Sequence, residues 1–296
     1  MQASTICLRC HQKCHLVAEV IDGKVAAVVD AQAANRTPAC REVCPLGMDI
    51  PGYVIAASKG KFDKALEIIR DSNPFPQVCG RICHHPCEVE CIRGAVDEPV
   101  AIMSLKRFVA EHGRKAEATI TAVRRTRKET VAIVGSGPAG LTAAHDLVKS
   151  GYGVTVYEGA SEAGGMLSRI IPEFKLPKAS VQADIESIRR LGVEIKTNSP
   201  VGKAITLEDL RQRHNAVLLA IGSWTPAALN LPGSDLHGVY YALPLLEEIK
   251  KGKSVDLGSR VVIIGGGNTA IDVARAAIRL GAKEVHVTCL ESRKTM

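Results

Sequence analysis

Aromatic side chains are scarce in this sequence, with four Phe, five Tyr and one Trp, or 3% of the residues. Proteins that bind single-stranded nucleic acid stack the bases on such side chains. The net charge of +7 and the basic run "RRTRK" at 124–128 would otherwise suit a nucleic-acid partner. Because the stacking residues are few, we expect no nucleic-acid partner and interpret the run as a solvated linker.

Long apolar runs are absent as well. No stretch approaches the roughly 18 residues that a membrane-spanning helix needs. The start, "MQASTICLRC", also lacks the charged segment and apolar stretch of a secretion signal. We therefore expect no membrane span and a cytoplasmic location, where cysteines stay reduced and available to metals.

Cysteine is nearly absent from the last two thirds of the chain and abundant in the first third. Nine of the ten cysteines precede residue 92, and the tenth is Cys289. Zinc sites usually use two CxxC pairs, and only Cys7 and Cys10 have that spacing. Iron–sulfur clusters also take four thiolates but draw them from distant segments. The composition predicts a thiol-rich N-terminal module that favours clusters over zinc.

A regular ladder of cysteines lies in "NPFPQVCGRICHHPCEVEC". Its members are Cys79, Cys83, Cys87 and Cys91. On an unbroken helix each step of four residues drifts by about 40°, so the first and last thiols would diverge by about 120°. That is too far for one small ion, so either Gly80 and Pro86 break the helix or the ladder serves more than one centre.

A further CxxxC pair, Cys40 and Cys44, lies in "TPACREVCPLGMDIP". This pair and the pair Cys87 and Cys91 could each present one helical edge to a common cluster, which supplies four ligands without strain. With so many thiols nearby, we interpret His84 and His85 as solvated groups or neighbours of the ligands.

The segment "TVAIVGSGPAGLTAAHDLVKSGYGVTVYE" reads as a strand, a glycine turn, a helix and a second strand. Gly135 permits the tight turn, Gly137 lets backbone amides approach a pyrophosphate, and Gly140 lets the helix pack on the strand. Glu158 ends the second strand, where a ribose hydroxyl needs an acceptor. The segment is typical of a dinucleotide-binding βαβ unit.

The same pattern returns in "SRVVIIGGGNTAIDVARAAIRLGAKEVHVTCLE", residues 259–291. Here Gly265, Gly267 and Ala270 occupy the three turn positions, and Glu291 ends the second strand. An acid at that place favours NAD(H) over NADP(H), while Arg293 favours the opposite. We lean to NAD(H).

Several motifs resemble one family in order and spacing. They are "ACREVCPLGMDIPGYV", "NPFPQVCGRICHHPCEVEC", "DEPVAIMSLKRF", GSGPAG with "EAGGMLSRIIPEFKLPK", "AVLLAIGSWTP" and "IGGGNTAIDVARAAIRLGAKEV". Residues 38–296 are similar to the small (beta) subunit of NADPH-dependent glutamate synthase and its relatives, which include the N-terminal part of dihydropyrimidine dehydrogenase. Such proteins pass hydride from a nicotinamide to FAD and then single electrons through [4Fe–4S] clusters in a helical domain.

The resemblance implies further site residues. Cys40, Cys44, Cys87 and Cys91 would share one cluster, and Cys83 would belong to a second. FAD would lie on the first βαβ unit and the nicotinamide on the second. The cofactor contacts added by the matching motifs are Pro138, Ala139, Gly165, Leu167, Gly222, Asn268 and Thr269.

The N-terminal segment departs from that family. Where the family has a CxxC before "ACxxxCP", this chain reads "DAQAANRT". Its opening residues, 1–30, resemble instead the iron–sulfur start of molybdopterin oxidoreductases, in which CxxCxxxC precedes a hairpin. The second cluster would then use Cys7, Cys10 and Cys14, with Cys83 ahead of Cys79 as the fourth ligand.

These patterns predict an α/β protein with an N-terminal helical iron–sulfur domain and two Rossmann-like dinucleotide-binding units, the second incomplete. Asp22-Gly23 predicts a hairpin, Pro51 the start of a helix and Asn73-Pro74 the end of the next. The expected parts are a cysteine hairpin module (1–37), a helical iron–sulfur domain (38–128), an FAD-binding domain (129–258) and an NAD(P)-binding unit (259–296).

We expect an electron-transfer oxidoreductase subunit whose partner is a redox subunit or a ferredoxin. No side chain reads as a general acid, base or nucleophile, which suits chemistry carried by cofactors. The alternative is a non-catalytic iron–sulfur relay or docking subunit. Because residues 259–296 suffice for only half of a dinucleotide domain, we also expect a fragment, or one half of a split protein completed by another chain and inactive alone.

Overall fold

The computed structural model describes residues 37–113, 120–203, 205–227, 231–290 and 292, and the backbone of three strands within residues 2–30. The chain separates into two compact units, Met1–Ala116 and Glu117–Met296. Within the described residues no helix has the length and apolar character needed to cross a bilayer.

The first unit begins with a three-stranded antiparallel sheet in the order β1-β2-β3. Its strands are β1 (Gln2–Ile6), β2 (His15–Ile21) and β3 (Lys24–Asp30). The pairing of β2 with β3 confirms the predicted hairpin, whereas β1 was not expected.

Helices make up the rest of this unit. They are α1 (Ala39–Glu42), α2 (Ile50–Ser58), α3 (Phe62–Ser72), α4 (Pro76–Ile82), α5 (Pro86–Val89), a 3₁₀ turn (Ile92–Ala95) and α6 (Ile102–His112). Pro51 lies in the first turn of α2, where the Asp49 side chain accepts from the Gly52 N–H at 3.1 Å. Asn73 caps the end of α3. Both predicted helix boundaries are therefore confirmed.

The helix that carries the ladder of cysteines is broken, which is one of the two alternatives that the sequence left open. Helix α4 ends at Ile82, Cys83 is extended, and α5 starts at Pro86 after His85 adopts a left-handed conformation with φ 45°. This backbone break separates Cys79 and Cys83 from Cys87 and Cys91, so the four thiols do not follow one helical stripe.

The second unit begins with a four-stranded parallel sheet in the order β6-β5-β4-β7. Its strands and helices are β4 (Thr130–Val134), α7 (Pro138–Lys149), β5 (Gly153–Tyr157), α8 (Met166–Arg169), α9 (Lys178–Arg190), β6 (Glu194–Lys196), α10 (Leu207–Arg213) and β7 (Ala216–Leu219). Strand β4 is buried along Val131–Val134, as its apolar run predicts for a central parallel strand.

A second parallel pair follows in the same unit. It consists of α11 (Ala242–Lys250), β8 (Arg260–Ile264), α12 (Asn268–Arg279) and β9 (Glu284–Thr288), with β8 and β9 paired in parallel. The α/β class, the helical N-terminal region and the two βαβ units of the prediction are confirmed. The four proposed domain boundaries stay predictions.

Candidate functional site

The two glycine turns have nearly the same backbone geometry. Gly135 and Gly265 have φ values of 104° and 125°, a region that favours glycine. Their N–H groups donate to the last residue of the neighbouring strand, to Tyr157 O at 2.8 Å and to Thr288 O at 2.7 Å. The internal repeat seen in the sequence is therefore a repeat in three dimensions.

The helix starts are matched as well. Gly137 and Gly267 precede α7 and α12 with φ, ψ values of −69°, −179° and −76°, 174°. A Cβ added to either glycine would meet no protein atom within 4 Å, so open space lies directly beside the first turn of each helix. A helix N-terminus that faces open space offers unpaired N–H groups and positive potential to an anion.

Close packing explains the other glycines of the first turn. A Cβ on Gly140 would lie 2.0 Å from Gly135 O, which holds the helix against the strand. A Cβ on Gly165 would lie 2.8 Å from the Gly137 Cα, so the "EAGGM" motif packs behind the turn. Pro138 and Ala139 begin α7, and Leu167 of α8 is buried.

Glu158 directly follows β5 and holds the turn. Its Oε2 accepts from Ser136 N at 3.0 Å and Ser136 Oγ at 2.5 Å, and its Oε1 accepts from Ala160 N at 2.8 Å. Ser136 Oγ in turn accepts from Gly164 N at 3.1 Å. The role of Ser136 was not expected, although a hydroxyl residue inside the glycine motif was visible in the sequence. Carboxylate lone pairs remain for further donors such as ribose hydroxyls.

The second turn borders a cleft of about 780 Å³. Of the predicted residues, Gly265, Gly267, Asn268, Thr269 and Ala270 line it. Ser223, Thr225, Pro226 and Ala227 also line it, and Gly222, with φ 73°, immediately precedes them. This volume suits a small-molecule or cofactor site. The remaining predicted contacts of this turn, Glu291 and Arg293, lie outside the described residues.

Three of the predicted cluster ligands share one region of the first unit. Helix α1 packs against α5, and Cys40 and Cys44 contact the apolar core that contains Cys87. Burial raises the pKa of Cys40, and the charges of Cys91 and Cys44 raise it further. That Cys40, Cys44, Cys87 and Cys91 hold one cluster stays a prediction.

Cys87 is the most buried of these thiols. Burial raises its pKa to about 11, Lys106 opposes this shift, and Cys83 and Cys44 add to it. Burial and the nearby Cys87, Cys44 and Cys40 also raise the pKa of Tyr53, whose hydroxyl donates to Ile102 O at 3.3 Å. Neither Tyr53 nor Lys106 was expected at the site.

Cys83 lies at the edge of this group. Its Sγ accepts from His85 N at 3.3 Å, and its thiolate acts on Cys87. Cys79 is half-buried in α4. His85 contacts Cys83 O through Nδ1 at 3.0 Å and Glu88 through Nε2 at 3.6 Å, so it braces the loop. Cys7, Cys10 and Cys14 lie outside the described residues.

The described side chains do not form a compact site for one ion. Within the described ranges, no three or more His, Cys, Asp or Glu side chains are grouped to hold one ion. A [4Fe–4S] cluster takes four thiolates around a larger body than a single zinc ion.

The fold and these sites define an oxidoreductase with dinucleotide-binding units and a cysteine-rich domain. Residues 129–296 match the family model described as pyridine nucleotide-disulphide oxidoreductase. Residues 17–118 match the model described as dihydropyrimidine dehydrogenase domain II, 4Fe-4S cluster. The chain belongs to the pyridine nucleotide-disulphide oxidoreductase family, and it combines a 4Fe–4S domain with an FAD- and NAD(P)-binding domain.

Curated relatives confirm the resemblance of residues 38–296. The chain is 41% identical over 269 residues to NADPH-Fe(3+) oxidoreductase subunit beta of Geobacter sulfurreducens, a match that covers 88% of this chain and 40% of the relative. It is 34% identical over 287 residues to the glutamate synthase [NADPH] small chain of Escherichia coli, covering 92% and 60%. The chain thus spans about half the length of these relatives.

A solved structure shows a similar fold. The complex of 2-naphthoyl-CoA reductase with 2-naphthoyl-CoA matches with a TM-score of 0.50 and 22% identity over 82% of this chain and 33% of that one. At this identity the match bears on the fold alone.

Proposed function

We propose that this chain is part of an electron-transfer oxidoreductase subunit that connects NAD(P)H, FAD and [4Fe–4S] clusters. The observation that carries the proposal is the presence, in one chain, of three cysteines at one core, Cys40, Cys44 and Cys87, and of two matched glycine turns. The chemistry that bound FAD would supply is hydride uptake from the nicotinamide and single-electron transfer to the clusters.

Cys40, Cys44, Cys87 and Cys91 would hold one cluster. Cys87 is buried in the apolar core that includes Ile50 and Tyr53, and Cys40 and Cys44 pack against this core. Since burial keeps Cys40 and Cys87 protonated, these thiols must release protons when they take up iron. A second cluster would use Cys7, Cys10 and Cys14 with Cys83, or with Cys79, as the fourth ligand.

The first glycine turn would hold the FAD. Its pyrophosphate would face the N-terminus of α7 beside Gly137, where a Cβ meets no protein atom. The free lone pairs of Glu158 would accept from ribose hydroxyls while its existing hydrogen bonds keep the turn closed. The protein thus orients the cofactor and leaves the redox chemistry to it.

The second turn and its cleft would hold the nicotinamide dinucleotide. The choice between NAD(H) and NADP(H) would fall to Glu291 and Arg293. Both relatives are named for NADPH, so the preference for NAD(H) stays a prediction.

The electrons would leave to a partner, either a redox subunit or a ferredoxin. Both relatives are named as one component of a larger enzyme, a subunit beta and a small chain. A partner subunit for this chain follows by analogy, and the terminal acceptor is open.

The test is a visible spectrum and cofactor count of anaerobically purified protein. We expect flavin bands over broad cluster absorption, both bleached by dithionite. Cluster absorption without flavin would favour the relay alternative, and a colourless protein would contradict both.

Iron counting tests the cluster ligands directly. Cys87→Ser should lose about four irons per chain, because a [4Fe–4S] cluster takes four thiolates. Cys289→Ser, which changes a thiol outside the cysteine-rich unit, is the matched control and should keep all its iron. An unchanged iron content in the Cys87 variant would contradict the assignment.

A further inference from the structure

Lys106 is a lysine in the interior of the first unit. Its residue is 4% exposed. It lies on the inward face of α6 together with Ile102, Val109 and Ala110. These apolar neighbours belong to the same core as Cys87, so Lys106 is buried beside the core that holds this cysteine.

The ammonium group of Lys106 has no protein counter-charge in the part of the chain that the structure describes. No carboxylate there forms an ion pair with it, and it donates no hydrogen bond. A buried cation is costly unless an opposite charge or acceptors compensate it. An anion other than a protein carboxylate would therefore compensate the charge of Lys106.

The cysteine segment is held against the helix that carries Lys106. Two hydrogen bonds tie this segment to the start of α6, from Met103 N to Glu88 Oε1 at 2.7 Å and from Val100 N to Cys91 Sγ at 3.5 Å. Helix α5, which carries Cys87, packs against α6 as well, so Lys106 and Cys87 lie within electrostatic range of each other.

We propose that Lys106 is the buried counter-ion of the cluster held by Cys40, Cys44, Cys87 and Cys91, a role that rests on the proposed function. A [4Fe–4S] centre with four thiolates is an anion, and it gains one more negative charge when it takes up an electron. A fixed cation stabilises the more negative state more strongly. Lys106 therefore raises the reduction potential of this cluster, and the cluster compensates the charge of the lysine.

The potential is the direct readout. Lys106→Met keeps an apolar stem of similar length and removes the charge, and Lys106→Arg keeps the charge. The matched control is Lys59→Met, which removes an exposed lysine from the same unit. Each loaded protein is titrated with dithionite and mediator dyes while the reduced cluster is followed by electron paramagnetic resonance. The redox transition that is missing from the titration of Cys87→Ser belongs to this cluster.

In Lys106→Met the equilibrium should shift against reduction by about tenfold, which is about 59 mV for one electron. Lys106→Arg and Lys59→Met should titrate with the wild type. An unchanged potential in a fully loaded Lys106→Met protein overturns the proposal. If that variant does not assemble its cluster, Lys106→Gln is titrated under the same criterion.

Thermal unfolding of the cluster-free protein gives a second readout. Without iron, Lys106→Met should unfold at a higher temperature than the wild type, because no uncompensated charge is buried. On loading, its Tm should rise by less than that of the wild type. A lower Tm for the cluster-free variant contradicts the proposal. A wild-type protein that binds no iron at all would instead refute the proposed cluster site.

Discussion

Gly137 and Gly267 occupy equivalent positions in the two dinucleotide turns. Both precede a helix with extended backbone that any residue adopts, and both face open space. A valine at either place fits the protein and fills the volume that a pyrophosphate would take. The two positions therefore allow each proposed cofactor to be removed separately.

Gly137→Val should lose FAD while Gly267→Val keeps it, and Gly267→Val should bind the nicotinamide dinucleotide more weakly. We expect losses of about 10- to 100-fold, since overpacking costs about 1–3 kcal/mol. The flavin-to-protein ratio and the quenching of NAD(P)H fluorescence measure the two effects. Each variant is the other's control, and full flavin retention in Gly137→Val would contradict the assignment.

His214 makes the second unit sensitive to acid. Burial lowers its pKa below the ordinary 6.5, and the charges of Lys196 and Arg213 lower it further. Its Nε2 contacts the Tyr157 hydroxyl at 3.2 Å, while its buried Nδ1 has no hydrogen-bond partner among the described residues. The folded state therefore favours the neutral imidazole.

Because the folded pKa lies below the unfolded one, the unfolded state binds the proton first as the pH falls. The stability from neutral His214 is thus fully present above the unfolded pKa of about 6.5 and is lost below it. Between about pH 8 and pH 5, the wild type should lose more stability than His214→Gln. Denaturant unfolding of both proteins across that range measures the difference, and parallel curves would exclude the effect.

At the scale of elements, the "EAGGMLSRIIPEFKLPK" segment joins the two βαβ units of the second unit. Arg169 contacts Glu247 of α11 at 2.5 Å, and Lys250 of α11 donates to Leu167 O at 3.1 Å and Ile171 O at 2.5 Å. Burial lowers the pKa of Lys250. The motif, which in the sequence supported the family resemblance and two predicted cofactor contacts, is also a structural connection between the two βαβ units.

Lys175 of this segment pairs with Asp272 of α12 at 2.9 Å, and the Asp272 side chain is 9% exposed. Lys175→Met would leave that carboxylate buried and unpaired, so it should destabilise the protein by about 1–3 kcal/mol. Adding Asp272→Asn should restore part of the loss. Denaturant unfolding measures both variants.

The control for this prediction lies three residues further along. Lys178 pairs with Glu162 at the surface, with side-chain exposures of 51% and 44%. Because exposed pairs contribute only about 0–1 kcal/mol, Lys178→Met should change stability little. Equal losses in the two lysine variants would show that burial of the Asp272 pair is unimportant.

At the scale of the whole molecule, the two units have separate cores. The core around Tyr53 surrounds the cysteines, while those around Leu246 and Leu210 lie in the nucleotide-binding unit. A ligand that binds only the folded form stabilises the unit that holds it, by about 2.7 kcal/mol at a hundred times its Kd.

Calorimetry of the full chain should therefore show two transitions. Cluster loading should raise the midpoint of one and FAD that of the other. Cys87→Ser should abolish the first response and leave the second, and Gly137→Val should do the reverse. A single transition that both cofactors shift together would contradict separate stabilisation.

Much of the candidate site could be predicted because its signals are local. Glycine turns, helix-opening prolines and the Asp22-Gly23 hairpin depend on neighbouring residues and on the allowed backbone angles. The repeat of the turn around Gly135 and Gly265 followed for the same reason. The expected strand–turn–helix pattern is found in both units.

Other features were missed because they depend on residues far apart in the chain. Strand β1 pairs with β2 across segments that carry no mutual signal in sequence. Ser136 reaches Glu158 only because parallel strands place their ends together. From the sequence alone Lys106 would be assigned to the surface. It is buried because helix α6 packs against the core.

The sequence by itself determined the class of the protein, since thiols at fixed spacing and glycines at a strand–helix junction have chemistry that few folds use. Only the tertiary structure decided which thiols pack at the core that holds Cys87, where the cysteine ladder breaks, and which lysine is buried. The physical reason is that spacing constrains neighbours along the chain, whereas contacts across the core arise when whole helices and strands pack to bury apolar surface.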